Sequence, residues 1–304
     1  MCEQLIAAQR TVTGTINPRE QALPEYFAPL AASELVSVEA CDLADPAAFR
    51  NVLRSLRPEH VYHLGALSSP ALCAEQPDLS RAVNVTSLEV LLDWVKRDSP
   101  QTRVLAASSA AIFGNPAESP QNEDTPASPQ NEYGRQKLQI REIAAQARSE
   151  GLFVATAIPF NHESERRPEE FVIAKIAWGA ARISRGLKQK LKLGDVSPRR
   201  DWGYAPEYAK AYIWMLDVEE PLELVLATGE IHSVKEAVEL AFDTAGVHYD
   251  RYESNATLRL PGDPQDSVGD SSRAWEELGW EAEIKFTKLI PRLVEHAISV
   301  LAAD

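Results

Sequence analysis

The chain is short of cysteine, methionine and positive charge, and it has no long apolar run. Its 304 residues include only three cysteines, Cys2, Cys41 and Cys73, and two methionines. So few cysteines, odd in number and without metal-ligand spacing, argue against a disulfide framework and for a reducing compartment. The six histidines form no cluster, so no metal site is expected. Lys and Arg total 31 against 45 Asp and Glu, a net charge of −14. That balance argues against nucleic acid or an anionic membrane as a general partner. It still allows an anionic small ligand, because a local group of arginines can hold one. No apolar stretch approaches a membrane span and the N-terminus lacks a signal-peptide pattern, so a cytoplasmic location is expected.

What remains is the composition of a soluble globular protein, with 44% hydrophobic and 25% charged residues. The length suffices for one large or two smaller domains. Short apolar runs at 11–16, 35–40, 60–64, 103–108 and 153–158 read as strands. Helical periodicity separates them at 46–56, 80–95 and 132–149, while 17–33 reads as a loop. Strands alternating with helices imply an α/β fold of parallel βαβ units, with ligands at the carboxyl ends of the strands. Beyond Pro159 the pattern is less regular: helices at 171–184, 206–216, 234–245, 272–278 and 287–301, and short strands at 191–193 and 222–227. A first domain over 1–159, to which parts of 203–230 return, and a second, smaller one over 160–304 are expected.

Tyr133 and Lys137 are spaced i, i+4, which puts both on one face of the helix over 132–149. A nearby ammonium favours phenolate over phenol. Ser109 closes the fourth apolar run, where its hydroxyl can hold a substrate hydroxyl or carbonyl oxygen. Together the three suit proton transfer coupled to hydride chemistry at a carbinol carbon.

The segment from Ala107 to Gly114 (ASSAAIFG), followed by Tyr133 and Lys137, resembles the extended short-chain dehydrogenase/reductases, the NAD-dependent epimerase/dehydratase family. Four further segments narrow the resemblance to GDP-mannose 4,6-dehydratases: Leu64-Gly65-Ala66, NHESERR from Asn161, RDWG from Arg200 and ATGEIHSV from Ala227. The resemblance implies a Rossmann-like doubly wound parallel sheet with a smaller C-terminal substrate domain. It also implies an NADP-dependent lyase, with NAD as the other possible cofactor, that converts GDP-mannose to GDP-4-dehydro-6-deoxymannose. In that chemistry Tyr133 is the base at C4, Lys137 lowers its pKa and holds the nicotinamide ribose, and Ser109 binds the C4 oxygen. Asp42, Leu64, Gly65, Ala66, His162 and Arg167 are the further cofactor contacts implied, with Asn161, Arg200 and Arg259 on the nucleotide sugar. A homo-oligomer, dimer or tetramer, is implied too.

Two departures qualify the activity. Position 111, which carries the glutamate that removes the C5 proton in the dehydratases, is Ala111. Losing a general base costs roughly 10²–10⁴ in rate. The family's first strand and its glycine-rich, pyrophosphate-cradling turn have no match either: residues 1–8 match the helix after that turn, and no Gly-x-x-Gly-x-x-Gly occurs. The missing strand reads either as a gene start placed too late or as the mark of a degenerate paralogue; for the chain as it stands, impaired dehydration and weak NADP binding are expected. A nucleotide-sugar 4-reductase or epimerase, for which serine, tyrosine and lysine suffice, and a non-catalytic nucleotide-sugar-binding paralogue are the alternatives.

Overall fold

The computed structural model describes residues 1–19, 27–258 and 264–303. They fall into two compact units. The first comprises Met1–Ser108, Glu132–Ala157 and Ala209–Glu223; the second comprises Ser109–Asn131, Ile158–Tyr208 and the remainder from Leu224.

In the first unit, helix α1 (Cys2–Ala7) leads into β1 (Val12–Ile16), which pairs in parallel with β2 (Val36–Ala40) in the register Val12–Val36 to Ile16–Ala40. Helix α2 (Pro46–Leu56) starts where the Asp45 carboxylate accepts from Ala47 N–H (2.9 Å) and Ala48 N–H (3.1 Å), with Pro46 pre-set at the first position. Strand β3 (His60–His63) follows, then the short helices α3 (Pro70–Glu75) and α4 (Pro77–Arg81). A π-helical turn, Ala82–Thr86, leads into α5 (Ser87–Asp98). Strand β4 (Arg103–Ala107), helix α6 (Glu132–Ser149) and strand β5 (Val154–Pro159, whose last two residues belong to the second unit) complete the pattern.

The continuous apolar run of β4 makes it a central strand. It pairs in parallel with β3 on one side (Val61–Val104, His63–Ala106) and with β5 on the other (Leu105–Ala155, Ala107–Ala157). Phe49 and Leu53 of α2, Leu88, Leu91 and Trp94 of α5, and Ile140 and Ala144 of α6 bury their side chains in one cluster with Val104, Ala106 and Val154. Each fully buried large side chain contributes roughly 1.5–3 kcal/mol.

The parallel α/β expectation holds, with two differences. Among the described residues β1 pairs only with β2, and β3 only with β4, so no strand joins the two sets. Accordingly no residue of β1 or β2 is buried. The segment read as one helix over 80–95 is interrupted by the π turn, and α3 precedes it unforeseen. A helical turn, Ala28–Ala31, lies within the stretch read as a loop, and 20–26 of that stretch lie outside the described residues.

The second unit is built around three helices: α7 (Val172–Ser184), α8 (Val234–Ala245) and α9 (Phe286–Ala303). Ile176 and Ala180, Ala237 and Phe242, and Leu289 and Leu293 meet there around Trp202, which stacks on Phe286 at 5.8 Å. A Ser233–Glu236 capping box begins α8 and Gly246, at φ 64°, ends it. Strands here are short: β6 (Asn161–Glu163), β7 (Arg199–Arg200), β8 (Trp202–Tyr204), β9 (Glu223–Leu226, which begins in the first unit), β10 (His232–Ser233) and β11 (Asp266–Ser267). Strand β6 runs parallel to β8, and β7 lies between β10 and β11. Among the described residues no helix is long and apolar enough to cross a membrane, and no group of three or more His, Cys, Asp or Glu could hold a metal.

Candidate functional site

In the first unit, the loops after the parallel strands gather at the carboxyl ends of those strands. Asp42 follows β2 and its carboxylate accepts from Ala44 N–H at 2.9 Å; Arg19 approaches its other oxygen at 3.9 Å. Leu64, Gly65 and Ala66 follow β3. A Cβ on Gly65 would stand 2.5 Å from Leu43 Cδ1, so glycine lets the two loops touch without turning that side chain aside. The two expected cofactor loops are thus in contact. The packing reason for Gly65 is Leu43, which sequence reasoning did not foresee.

Tyr133 and Lys137 lie in the first turns of α6, with the Lys137 Nζ 5.7 Å from the Tyr133 ring centroid. Lys137 is buried and Nζ donates to the Ala107 carbonyl at 2.7 Å. In return, Ser108 Oγ donates to the Lys137 carbonyl at 2.9 Å, which fastens α6 to the end of β4. Burial pushes the Lys137 ammonium down to about 8, opposed by the Cys73 thiol. An ammonium has three N–H donors. The Ala107 carbonyl takes one, which leaves two for a ligand hydroxyl. A buried ammonium with donors beyond the one held by Ala107 suits a ligand hydroxyl such as a ribose, and to that extent the residues fit a nicotinamide dinucleotide.

Two buried neighbours of this cluster were not foreseen. Tyr212 is buried, and burial, followed by the proximity of Tyr133, raises its phenol well above the ordinary range. His63, at the end of β3, pairs with Ser87 Oγ at 2.7 Å, and burial first, then Lys137, pushes it down to about 4. It is therefore neutral at pH 7.

Ser109 is the next residue after Ser108 and opens the second unit. Its Oγ accepts from Ala111 N–H at 3.2 Å and caps the short turn Ala110–Ile112. That bond uses a lone pair and leaves the hydroxyl hydrogen to donate. Ala111 supplies only a methyl group.

Elsewhere in the second unit, Asn161 is exposed, and His162 is partly exposed and stacks on Tyr208 at 4.6 Å. The His162 Nδ1 meets the Phe160 carbonyl at 2.8 Å, which assigns the proton to Nδ1 and leaves Nε2 as an acceptor. Burial holds His162 at about 4, hence neutral. Glu163 is buried, its Oε2 has no hydrogen-bond partner, and burial raises it to about 7 against the opposing effect of Arg167 at 3.4 Å. The Arg167 guanidinium lies 3.5 Å from the Phe171 ring centroid.

Arg200 stands apart from that group. Its guanidinium donates to the carbonyls of Arg199 (2.8 Å), Gln265 (3.1 Å) and Pro264 (2.7 Å), so much of its fork binds main chain. Asp201 beside it accepts from Thr228 N–H (2.9 Å), Thr228 Oγ1 (2.7 Å), Gly229 N–H (2.9 Å) and Gly269 N–H (3.4 Å), which pins the threonine-glycine loop. Arg259 lies outside the described residues.

A parallel α/β sheet with a Tyr/Lys helix defines a class, and solved structures agree on the fold. UDP-glucose 4-epimerase from Bifidobacterium longum, in complex with NAD+ and UDP, superposes with a TM-score of 0.85 at 20% identity, over 99% of this chain and 94% of its own. RMD from Pseudomonas aeruginosa, complexed with NADPH, does so at 0.80 and 24%, over 95% and 100%. The family model for GDP-mannose 4,6 dehydratase matches residues 1–293. GDP-mannose 4,6 dehydratase 2 of Arabidopsis thaliana is 35% identical over 272 residues, 88% of this chain and 73% of its own. The Homo sapiens GDP-mannose 4,6 dehydratase is 30% identical over 284 residues, 86% and 76%. The chain belongs to the GDP-mannose 4,6-dehydratase family, a family of nucleotide-sugar lyases.

Proposed function

We propose that this protein binds a nicotinamide dinucleotide, NADP in the first instance, and acts on GDP-mannose at the Ser109/Tyr133/Lys137 set. The observation that carries this reading is Lys137: a buried ammonium, fixed on Ala107 with two donors unspent, one helical turn from Tyr133. The bound dinucleotide supplies the hydride acceptor. Tyr133 takes the C4 hydroxyl proton as hydride leaves that carbon. The Lys137 ammonium stabilises the negative charge on the phenol oxygen. Ser109 donates to the C4 oxygen. Asp42 serves the adenine side, the Leu64-Gly65-Ala66 loop, His162 and Arg167 complete the cofactor contacts, and Asn161 serves the nucleotide sugar, while the Arg200 fork, spent on main-chain carbonyls, supports the site from behind. The NADPH named for the Pseudomonas structure and the NAD named for the Bifidobacterium epimerase support a cofactor of this type without choosing between them.

Dehydration across C5 and C6 is the weak step in this proposal. Ala111 provides no base for the C5 proton, so loss of roughly 10²–10⁴ in that step is expected. The same observation favours a second reading, a nucleotide-sugar 4-reductase or epimerase, which needs only the three residues present. Incubation with GDP-mannose and NADP, followed by detection of a 4-keto, 6-deoxy sugar with no net NADPH formed, tests the first reading. Cofactor reduction or C4 inversion without a 6-deoxy product would instead establish the second.

A further inference from the structure

We propose that Gln136 is a positioning residue that couples the loop after β3 to the helix carrying Tyr133 and Lys137. The inference rests on the reading of that helix given above, and its observations are confined to the first unit. Gln136 lies on α6 between the two functional residues and is almost fully buried. A buried glutamine requires partners for its carbonyl and both its N–H groups. Its Oε1 accepts from Asn84 Nδ2 at 2.8 Å, and its Nε2 donates to Ser80 Oγ at 2.8 Å and to Glu132 Oε1 at 3.1 Å.

Asn84 carries the link onward. Its Oδ1 accepts from Leu67 N–H at 2.8 Å and its Nδ2 also donates to the Leu67 carbonyl at 3.1 Å, so one amide grips both polar groups of one loop residue. Leu67 directly follows Leu64-Gly65-Ala66. Asn84 sits in the π-helical turn Ala82–Thr86, and such turns are single-residue insertions that re-aim side chains, often at functional sites. Ser80, the other anchor of Gln136, is fully buried and donates to the Pro77 carbonyl at 3.0 Å. The loop, the π turn and the catalytic helix therefore share one satisfied buried network. Any displacement of Leu67 is resisted at Gln136, one residue from Lys137.

The test is amide hydrogen exchange on the full chain, paired with NADPH titration, for wild type, Gln136→Met and Ser80→Ala. Gln136→Met keeps the volume and removes the acceptor for Asn84. Ser80→Ala removes a buried hydrogen bond of the same helix and leaves the Asn84–Gln136 bond in place. In Gln136→Met the Leu67 amide is expected to exchange about tenfold faster, with β4 amides unchanged, and NADPH is expected to bind about tenfold more weakly. Ser80→Ala loosens one anchor of Gln136 but keeps the Asn84–Gln136 link, so it is expected to move both by clearly less, about threefold at most. Wild-type exchange at Leu67 in Gln136→Met overturns the proposal, as does equal acceleration across β4 or in both variants. If wild type takes up no NADPH, the cofactor reading fails while the exchange arm still decides the coupling.

Discussion

The Nζ of Lys137 donates to the carbonyl of Ala107 at 2.7 Å inside the protein, and burial has brought its ammonium down to about 8. A buried cation with one acceptor lowers stability and is retained for what it does. Replacing it with an apolar side chain of similar length is therefore expected to separate stability from function. Lys137→Met should melt no lower than wild type at pH 7 and should lose NADPH binding by at least tenfold. Thermal melts and fluorescence titration of the same preparation check both halves.

Ala111 gives the sharpest activity test. Restoring a carboxylate with Ala111→Glu is expected to raise formation of the 4-keto, 6-deoxy product by about 10² or more, with hydride transfer little changed. Product analysis after incubation with GDP-mannose and NADP reads it directly. No gain, with cofactor bound, would remove the dehydratase assignment.

Glu163 and the two histidines held low, His63 and His162, should give opposite slopes to stability against pH. Burial raises Glu163 to about 7 from an ordinary 4.5, so the native state holds its proton over that interval while the unfolded chain releases it. Stability attributable to Glu163 therefore falls as pH rises from 4.5 to 7. Glu163→Gln is expected to raise stability by about 1–3 kcal/mol at pH 8 and by little at pH 4.5.

His63 and His162 are both held near 4, below an ordinary 6.5, so the unfolded chain binds the extra protons between those values. Their contribution is complete above about 6.5 and is lost as pH falls toward 4, each by up to about 3 kcal/mol. His63→Gln, which preserves a polar partner for Ser87, should flatten that acid limb in urea unfolding series between pH 4 and 7.

Asp201 holds four donors, three of them main-chain N–H groups of Thr228, Gly229 and Gly269. Asp201→Ala strands the buried ones and is expected to cost about 3–5 kcal/mol, with Asp201→Asn in between. Urea midpoints at pH 7 measure it.

Legibility followed the range of the physics involved. The apolar run of β4 and the i, i+4 spacing of Tyr133 and Lys137 depend on backbone periodicity alone, and both could be read directly. Ser69-Pro70 carried a start signal for α3, an N-cap followed by proline, but the helix was too short for its periodicity to register. The π turn was not legible, because its partners, Leu67 and Gln136, are 17 and 52 positions away from Asn84. Arg200 read as a phosphate contact by type. Its engagement with the carbonyls of Pro264 and Gln265 depends on β7 pairing with β11, which no local pattern encodes. The neutral-range carboxyl of Glu163 reflects burial, which composition does not report.

Strands β1 and β2 contribute nothing to the buried cluster of the first unit, and among the described residues they pair only with each other. Arg10, just before β1, reaches Asp217 at 2.8 Å, a partly exposed ion pair of modest worth. Cooperative unfolding units are bounded by shared apolar contacts. Strands β1 and β2 are therefore expected to open, and to admit a protease, ahead of the β3–β4–β5 set, leaving the Tyr133–Lys137 helix seated on β4.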